Sequence, residues 1–169
     1  SQIEMDFWLA FSSGHSELFH PCLRTFADLM PYFMANAALG GVDGAVEVPH
    51  FFLPEHGTIN ATRTPGRTFS GSTLWVFQNF IWYYEHTGNE RYLRDFLYPT
   101  LRALGIWIEK VMLYRDETGR LHTAGMSPEQ IGCETDNPFN LSLIQLVCEK
   151  LIAYSETLGV AAETSRYRR

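Results

Sequence analysis

A stripe of aliphatic side chains in the second half of the chain leaves little choice of secondary structure there. It consists of Leu93, Leu97, Leu101, Leu104, Ile108 and Val111. Steps of three and four residues place these side chains on one side of an α-helix, whereas a β-strand would divide them between its two faces. The stripe therefore predicts a helix that packs between neighbouring elements, and Asn89 ahead of it is a suitable N-cap residue.

Three further segments have the same helical period. Their apolar positions are Cys22, Phe26, Leu29, Met30 and Phe33 in the first, Phe77, Phe80, Ile81 and Tyr84 in the second, and Phe139, Leu143, Leu146, Val147, Leu151 and Tyr154 in the last. Pro21 suits the first turn of the first helix, and Pro31 predicts a kink or a break in it. Gly88 is a suitable end for the second helix, and Asn137-Pro138 predicts the start of the last.

Long segments without helical period separate alternate helices. Residues 41–70 contain Pro49, Pro54 and Pro65, and Asp116-Glu117-Thr118-Gly119 predicts a turn before a brief extended piece at 121–123. The whole pattern is typical of an all-α domain. It is compatible with a helical bundle, a repeat array or part of an α/α toroid, although self-similarity at about 34 or 40 residues, which would favour the array, is not visible.

The composition restricts the possible ligands. A net charge of -6 argues against a nucleic-acid partner, and the three Arg between Ser165 and Arg169 predict only a solvated basic tail. No run reaches the roughly 18 apolar residues that cross a bilayer, so no membrane partner is expected. Cys22, Cys133 and Cys148 lack the spacing of a zinc site or a disulfide framework. We expect a neutral substrate and no metal or organic cofactor.

A polar loop supplies the candidate catalytic residue. Glu129 lies in the run Gly125-Met126-Ser127-Pro128-Glu129-Gln130, after two helical segments rich in aromatic residues. Aromatic rings stack on the C–H surfaces of sugars, and an apolar surround raises the pKa of a carboxyl group until it donates a proton near neutral pH. This combination predicts a sugar-cleaving site with Glu129 as its acid. The alternative is that Glu129 caps a helix or faces solvent.

Several short motifs follow one another in an order that is typical of one enzyme family. They are Met5-Asp6-Phe7-Trp8, Gly71-Ser72-Thr73-Leu74-Trp75, Tyr84-Glu85-His86-Thr87-Gly88-Asn89, Tyr98-Pro99, Ser127-Pro128-Glu129 and Asp136-Asn137. With these motifs the chain resembles the catalytic domain of glycoside hydrolase family 95, the inverting α-L-fucosidases and their relatives. The resemblance implies an (α/α)6 barrel, of which residues 1–169 would be a part that is incomplete at both ends.

The resemblance also assigns roles in catalysis. Glu129 would protonate the leaving glycosidic oxygen as general acid, while a second group activates water on the opposite face of the sugar, about 6.5 to 9.5 Å away. The family uses a pair of Asn for that second task, and the nearer of the two positions falls on Gln2. The other Asn position and an assisting Asp fall outside the chain.

Candidates for substrate contact come from the same motifs and loops. They are Gln2, Trp8, His50, Trp75, Asn79 and Asp136. Trp75 is the preferred stacking platform, although tryptophans more often belong to a core, and Asn79 follows it by one helical step. His50 lies in the long segment and would hydrogen-bond sugar hydroxyls unless it is structural. Asp136 would either line the pocket or help to start the last helix.

The substrate predicted from the resemblance is an oligosaccharide or glycoconjugate with an α-linked fucoside- or galactoside-type sugar. Val48-Pro49-His50 stands where the family has a His-rich run, so other (α/α)6 glycosidases or sugar phosphorylases remain alternatives. A non-catalytic carbohydrate-binding or scaffold protein is a third hypothesis, motivated by Gln2. By resemblance the protein would be secreted or periplasmic, and the 169 residues alone are expected to be inactive.

Overall fold

The structure, a computed structural model, describes residues 3–49, 70–124, 135–160 and 167. Its helices are α1 (Ile3–Asp6), α2 (Trp8–Ser12), α3 (His20–Leu39), α4 (Ser70–Thr87), α5 (Glu90–Tyr92), α6 (Tyr98–Trp107) and α7 (Pro138–Thr157). A 3₁₀ turn (Ser16–Phe19) precedes α3, and π-helical turns (Leu93–Leu97 and Ile108–Met112) flank α6. The predicted all-α fold is confirmed. A small antiparallel hairpin, β1 (Leu113–Arg115) and β2 (Leu121–Thr123), is added to it.

Side-chain caps define the helix starts that the sequence predicts. Oδ1 of Asn89 accepts a hydrogen bond from the backbone N–H of Tyr92 at 3.0 Å, and Oδ1 of Asn137 accepts one from Phe139 at 2.8 Å. Both bonds satisfy N–H groups that lack partners in a first helical turn. Gly88 ends α4 with a φ of 60°, a left-handed conformation that glycine adopts without strain. These boundaries are confirmed as predicted.

Helix α3 continues through Pro31 without a break. Proline removes one backbone donor, but here its ring lies on the exposed side of the helix. Phe26, Leu29 and Phe33 on the opposite side are buried in the core, and their burial favours a single helix. The predicted break at Pro31 is therefore wrong, while the alternative of a kink there stays a prediction.

The core is built largely from aromatic rings. Phe80 is fully buried, and its ring centroid lies 4.9 Å from that of Phe19, 5.1 Å from Phe26 and 5.0 Å from Phe77. Edge-on and tilted pairs at these separations are favourable beyond their buried area. This cluster joins α3, α4 and the turn before α3 into one unit.

The aliphatic stripe forms the second part of the core. Leu93, Leu97, Leu101 and Leu104 are fully buried. The first three follow one another at steps of four residues, which drift around an α-helix of 3.6 residues per turn. The π-helical turn at Leu93–Leu97 has more residues per turn and therefore keeps these side chains on the buried face.

Helices α4 and α7 run parallel, with α5 and α6 antiparallel to both. Trp75 contacts Phe139 near the start of the two helices, and Tyr84 contacts Tyr154 near their ends. The hydroxyl of Tyr92 in α5 donates to the carbonyl of Phe80 in α4, which places the return segment beside α4. Helices α4 and α7 are thus parallel neighbours, and the antiparallel segment lies between them in the sequence, as expected of helical hairpins in an α/α toroid. Within the described ranges, no helix has both the length and the apolar character needed to cross a membrane.

Candidate functional site

Both long connections meet the described fold at one end, formed by the first turns of α4 and α7, which we call the loop end. The backbone N–H of Val48 donates to Oγ1 of Thr73 in α4 at 3.1 Å, so residues 45–49 return to that end. Gly71 in α4 touches Asn140 and Phe139 in α7. The described residues that border 50–69 and 125–134 in the sequence therefore lie at the loop end. His50 and Glu129 belong to these two segments and lie outside the described residues.

Backbone hydrogen bonds tie together the two sides of residues 125–134. The N–H of Ala124 donates to the carbonyl of Met112 at 2.6 Å, and the N–H of Asp136 donates to that of Thr123 at 3.4 Å. Oδ1 of Asp136 accepts a further bond from the N–H of Thr123 at 2.8 Å. The residues that flank the Glu129 segment are thus fixed to the hairpin and to each other.

Two carboxylates enclose His122 at the same place, and we call this arrangement the His122 clamp (Asp116, His122 and Asp136). Nδ1 of the imidazole lies 2.7 Å from Oδ2 of Asp136, and Nε2 lies 3.2 Å from Oδ2 of Asp116. The His122 side chain is 16% exposed. Both ring nitrogens can donate at once only when the imidazole is protonated. The clamp connects the hairpin turn, strand β2 and the residue before the N-cap of α7.

The charges in the clamp shift one another's pKa values. Hydrogen bonds to Asp136 and then Asp116 raise the pKa of His122 above its usual 6.5. A bond from Thr118 is the largest cause that lowers the pKa of Asp116 to about 2. The N–H of Thr123, followed by His122, lowers the pKa of Asp136. All three shifts favour an imidazolium between two carboxylates.

Asp136 has an unusual backbone conformation, with a φ of 58°. Aspartate is one of the few non-glycine residues that tolerate the left-handed region. Here the conformation is held by its N–H, which donates to the carbonyl of Thr123, and by its two carboxylate oxygens, which accept from the N–H of Thr123 and from Nδ1 of His122. Its carboxylate therefore binds the hairpin, while Asn137 caps α7. Direct contact of Asp136 with substrate stays a prediction.

Trp75 is half-buried in α4 near the loop end. Its ring meets that of Phe139 edge-on, with centroids 5.3 Å apart and an interplanar angle of 87°. The contact places Trp75 beside the first turn of α7, because Phe139 follows Asp136 by only three residues. An aromatic side chain therefore lies at the loop end, as the interpretation of Trp75 as a stacking platform requires.

Asn79 lies one helical turn beyond Trp75 on the same face of α4. Trp8, in α2, packs against α4 still farther along, at Trp82. Asn79 is 1% exposed, and its Nδ2 donates to the carbonyl of Ile3 at 3.4 Å. It thereby holds the backbone next to Gln2, which lies outside the described residues. Trp8 is 42% exposed and packs edge-on against Trp82 at 5.8 Å. Trp82 follows Trp75 by seven residues, about 10 Å along the helix, so Trp8 is distant from the loop end.

Trp75 and Asp136 thus both lie near the start of α7, Trp75 through its contact with Phe139 and Asp136 as the residue before the N-cap. Sequence reasoning missed His122 and Asp116 as members of this region. A His in a predicted extended piece and an Asp in a predicted turn carry a weak signal separately. The described residues contain no group of three or more His, Cys, Asp or Glu side chains arranged to hold a metal ion.

The chain is similar to a known protein family over nearly its whole length. The model of the glycosyl hydrolase family 95 catalytic domain matches residues 2–168, nearly the whole chain. Neither the comparison with curated proteins nor that with solved structures gives a match.

Proposed function

The chain belongs to glycosyl hydrolase family 95, and from this premise we propose that it cleaves an α-linked sugar by inversion with Glu129 as general acid. Membership in the family makes it a glycoside hydrolase domain with a carbohydrate substrate. The proposed sugar is of the α-L-fucoside or α-galactoside type. Residues 1–169 are proposed to be part of an (α/α)6 barrel that needs further helices for activity.

One observation carries the assignment of Glu129. The Ser127-Pro128-Glu129 motif lies inside the matched range, between two flanking positions that hydrogen bonds hold together at the loop end. Glu129 is five residues from Ala124 and six from Thr135 along the chain. Trp75 at the same end supplies an aromatic surface. A carboxyl group and an aromatic ring at one end of an α/α fold suit a sugar-binding site.

The proposed reaction places an acid and a water on opposite faces of the sugar. Glu129 donates its proton to the glycosidic oxygen as the bond to the anomeric carbon breaks, and water attacks from the other side. Gln2 is proposed to orient that water, and Asn79 supports the segment next to it through Ile3. Trp75 is proposed to stack on the sugar, while Trp8, His50 and Asp136 are candidates for further substrate contacts.

The leaving group provides a specific test of the acid. An alkyl aglycone needs protonation to leave, whereas 2,4-dinitrophenolate leaves without it. In the complete protein, Glu129→Gln should therefore lower kcat/KM for an alkyl α-L-fucoside or α-galactoside by about 10² to 10⁴, with a much smaller loss on the 2,4-dinitrophenyl glycoside of the same sugar. Glu117→Gln, at an exposed position in the hairpin turn, is the matched control and should leave both rates unchanged.

Equal rates for Glu129→Gln and the parent on the alkyl glycoside would remove Glu129 from the mechanism. Turnover that depends on phosphate would instead indicate a sugar phosphorylase. A parent protein that binds the sugars but hydrolyses none of them would indicate a carbohydrate-binding or scaffold role, which the replacement of the expected Asn by Gln2 favours.

A further inference from the structure

The His122 clamp lies where it can act on the Glu129 segment. Residue 124 follows strand β2, in which His122 and Thr123 lie, and residue 135 precedes Asp136. The short bond from Nδ1 of His122 to Asp136, at 2.7 Å, therefore joins two residues that lie on either side of Glu129 in the sequence. The hydroxyl of Tyr114 in β1, 3.4 Å from Oγ1 of Thr135, adds a second connection across the same gap.

The surroundings of His122 explain why a histidine suits this position. Asp116 and Asp136 contact its two ring nitrogens, and the ring of Tyr114 stacks on it at 5.6 Å. The positive charge of Arg120 also lowers the pKa of Asp136. Glu109 lies in the cleft that His122 and Asp136 also line. A protonated imidazole is the only side chain of this size and shape that donates in two opposite directions between two carboxylates.

The bonds of Asp136 distinguish a positioning role from an ordinary surface ion pair. Its backbone stays in the left-handed region while both carboxylate oxygens are held by the hairpin. Without His122, one of these oxygens loses its partner. The cost of a strained backbone conformation is then opposed by fewer bonds, and the flanking residue can relax. A displacement of about 1 Å in a catalytic group costs on the order of 10²-fold in rate.

We propose that His122 is a positioning residue for the general acid, because it joins Asp116 and Asp136 and so fixes the two ends of the segment that contains Glu129. The inference rests on the proposed function of Glu129. It assigns no contact between His122 and the substrate. The clamp acts by holding Asp136 against strand β2, so that the two described sides of the segment stay together.

The test uses the leaving-group dependence defined above. The measured quantity is the ratio of kcat/KM for the alkyl glycoside to that for the 2,4-dinitrophenyl glycoside, with the complete protein. In His122→Ala we expect this ratio to fall about tenfold or more, because a misplaced acid affects only the substrate that needs its proton. His122→Asn places an amide nitrogen near the position of Nδ1 and should fall by less, about threefold.

Controls separate positioning from a general loss of structure. His15 forms an exposed pair with Glu17 at 2.9 Å, so His15→Ala removes the same chemical pair elsewhere and should leave the ratio unchanged. The double variant Glu129→Gln with His122→Ala should show no further fall beyond Glu129→Gln alone, since residues that act through one group are not additive. Should His122→Ala not fold, His122→Asn carries the test.

An unchanged ratio in the His122 variants overturns the proposal, even if both rates fall together, because equal losses indicate only a structural role. The proposal is also overturned if the fall of the ratio in the double variant equals the product of the falls in the two single variants. If Glu129→Gln itself leaves the ratio unchanged, the assignment of the acid is wrong and the positioning role falls with it. If Glu129→Gln lowers the ratio and His122→Ala does not, only the positioning role is wrong.

Discussion

The aromatic cluster around Phe80 and the His122 clamp stabilise the same fold in opposite ways. The cluster is fully buried and uncharged, and its phenylalanine rings join α3 to α4 by packing alone. The clamp is partly exposed and charged, and it joins the hairpin to the start of α7 through a few directed bonds. The difference implies that the packing of the helices depends on how well the aromatic rings fill the core. The structure of the loop end depends instead on the protonation states of the residues in the clamp.

The largest effect is expected from emptying the aromatic cluster. Phe80→Ala removes a fully buried ring that contacts Phe19, Phe26 and Phe77, and large-to-small changes of this kind cost about 3 to 5 kcal/mol. The midpoint of denaturant unfolding in the complete protein measures the loss. Leu9→Ala, at a position that is 77% exposed, is the control and should change stability by less than about 0.5 kcal/mol. Equal losses in the two variants would show that the cluster is not the main source of helix packing.

A smaller effect is expected where α4 and α7 approach at the loop end. A Cβ added at Gly71 would overlap Oδ1 of Asn140 and lie 2.9 Å from the Phe139 ring. Gly71→Ala should therefore destabilise the protein by about 1 to 3 kcal/mol, as overpacking does, measured by the same unfolding midpoint. In the background of Asn140→Ala, where the overlapping amide is absent, the cost of Gly71→Ala should be smaller. An undiminished cost would place the strain elsewhere.

The smallest effect is expected from a change of pH. It should alter the stability that the His122 clamp contributes, but not the stability that the aromatic cluster contributes. The lowered pKa values of Asp116 and Asp136 give stability that is present above about 3.8 and lost as pH falls through their folded-state values. The raised pKa of His122 gives stability that is present below about 6.5 and lost as pH rises through its folded-state value. The clamp therefore contributes most between these two limits.

Thermal unfolding between pH 3 and 9 tests this window. The difference in Tm between the parent and His122→Ala should be largest between about pH 3.8 and 6.5 and should shrink on both sides. The difference between the parent and Phe80→Ala should stay the same across the range, because no titrating group is removed. A constant difference for His122→Ala as well would contradict the pKa shifts in the clamp.

The helices were predictable because each depends on local features that the sequence repeats. The stripe from Leu93 to Leu104 has one period, and Asn89 and Asn137 accept the capping bonds expected from their positions. The continuity of α3 through Pro31 was not predictable from that residue alone. It depends on the buried side chains opposite the ring, and thus on tertiary packing.

The site was predictable only in part, for a physical reason. The family resemblance and the aromatic helices indicate Glu129 and Trp75, and Trp75 does lie at the loop end. The clamp has no such signature, because Asp116, His122 and Asp136 come from a turn, a strand and a helix entry that a short hairpin brings together. Strand β1, which pairs with β2 in this hairpin, was also not predicted, since it follows directly after the helical stripe that ends at Val111.

The close packing of Asn140 has a consequence for producing this protein. Asn140-Leu141-Ser142 has the form of an acceptor for N-linked glycans, yet the Asn140 side chain is completely buried against α4. A glycan attached before folding would have no room in the space where α4 meets α7. Ser142→Ala removes the acceptor sequence at the cost of one exposed hydrogen bond, to the carbonyl of Pro138. Expression in a eukaryotic secretory host should therefore yield more folded protein with that variant, whereas a bacterial host should not distinguish the two.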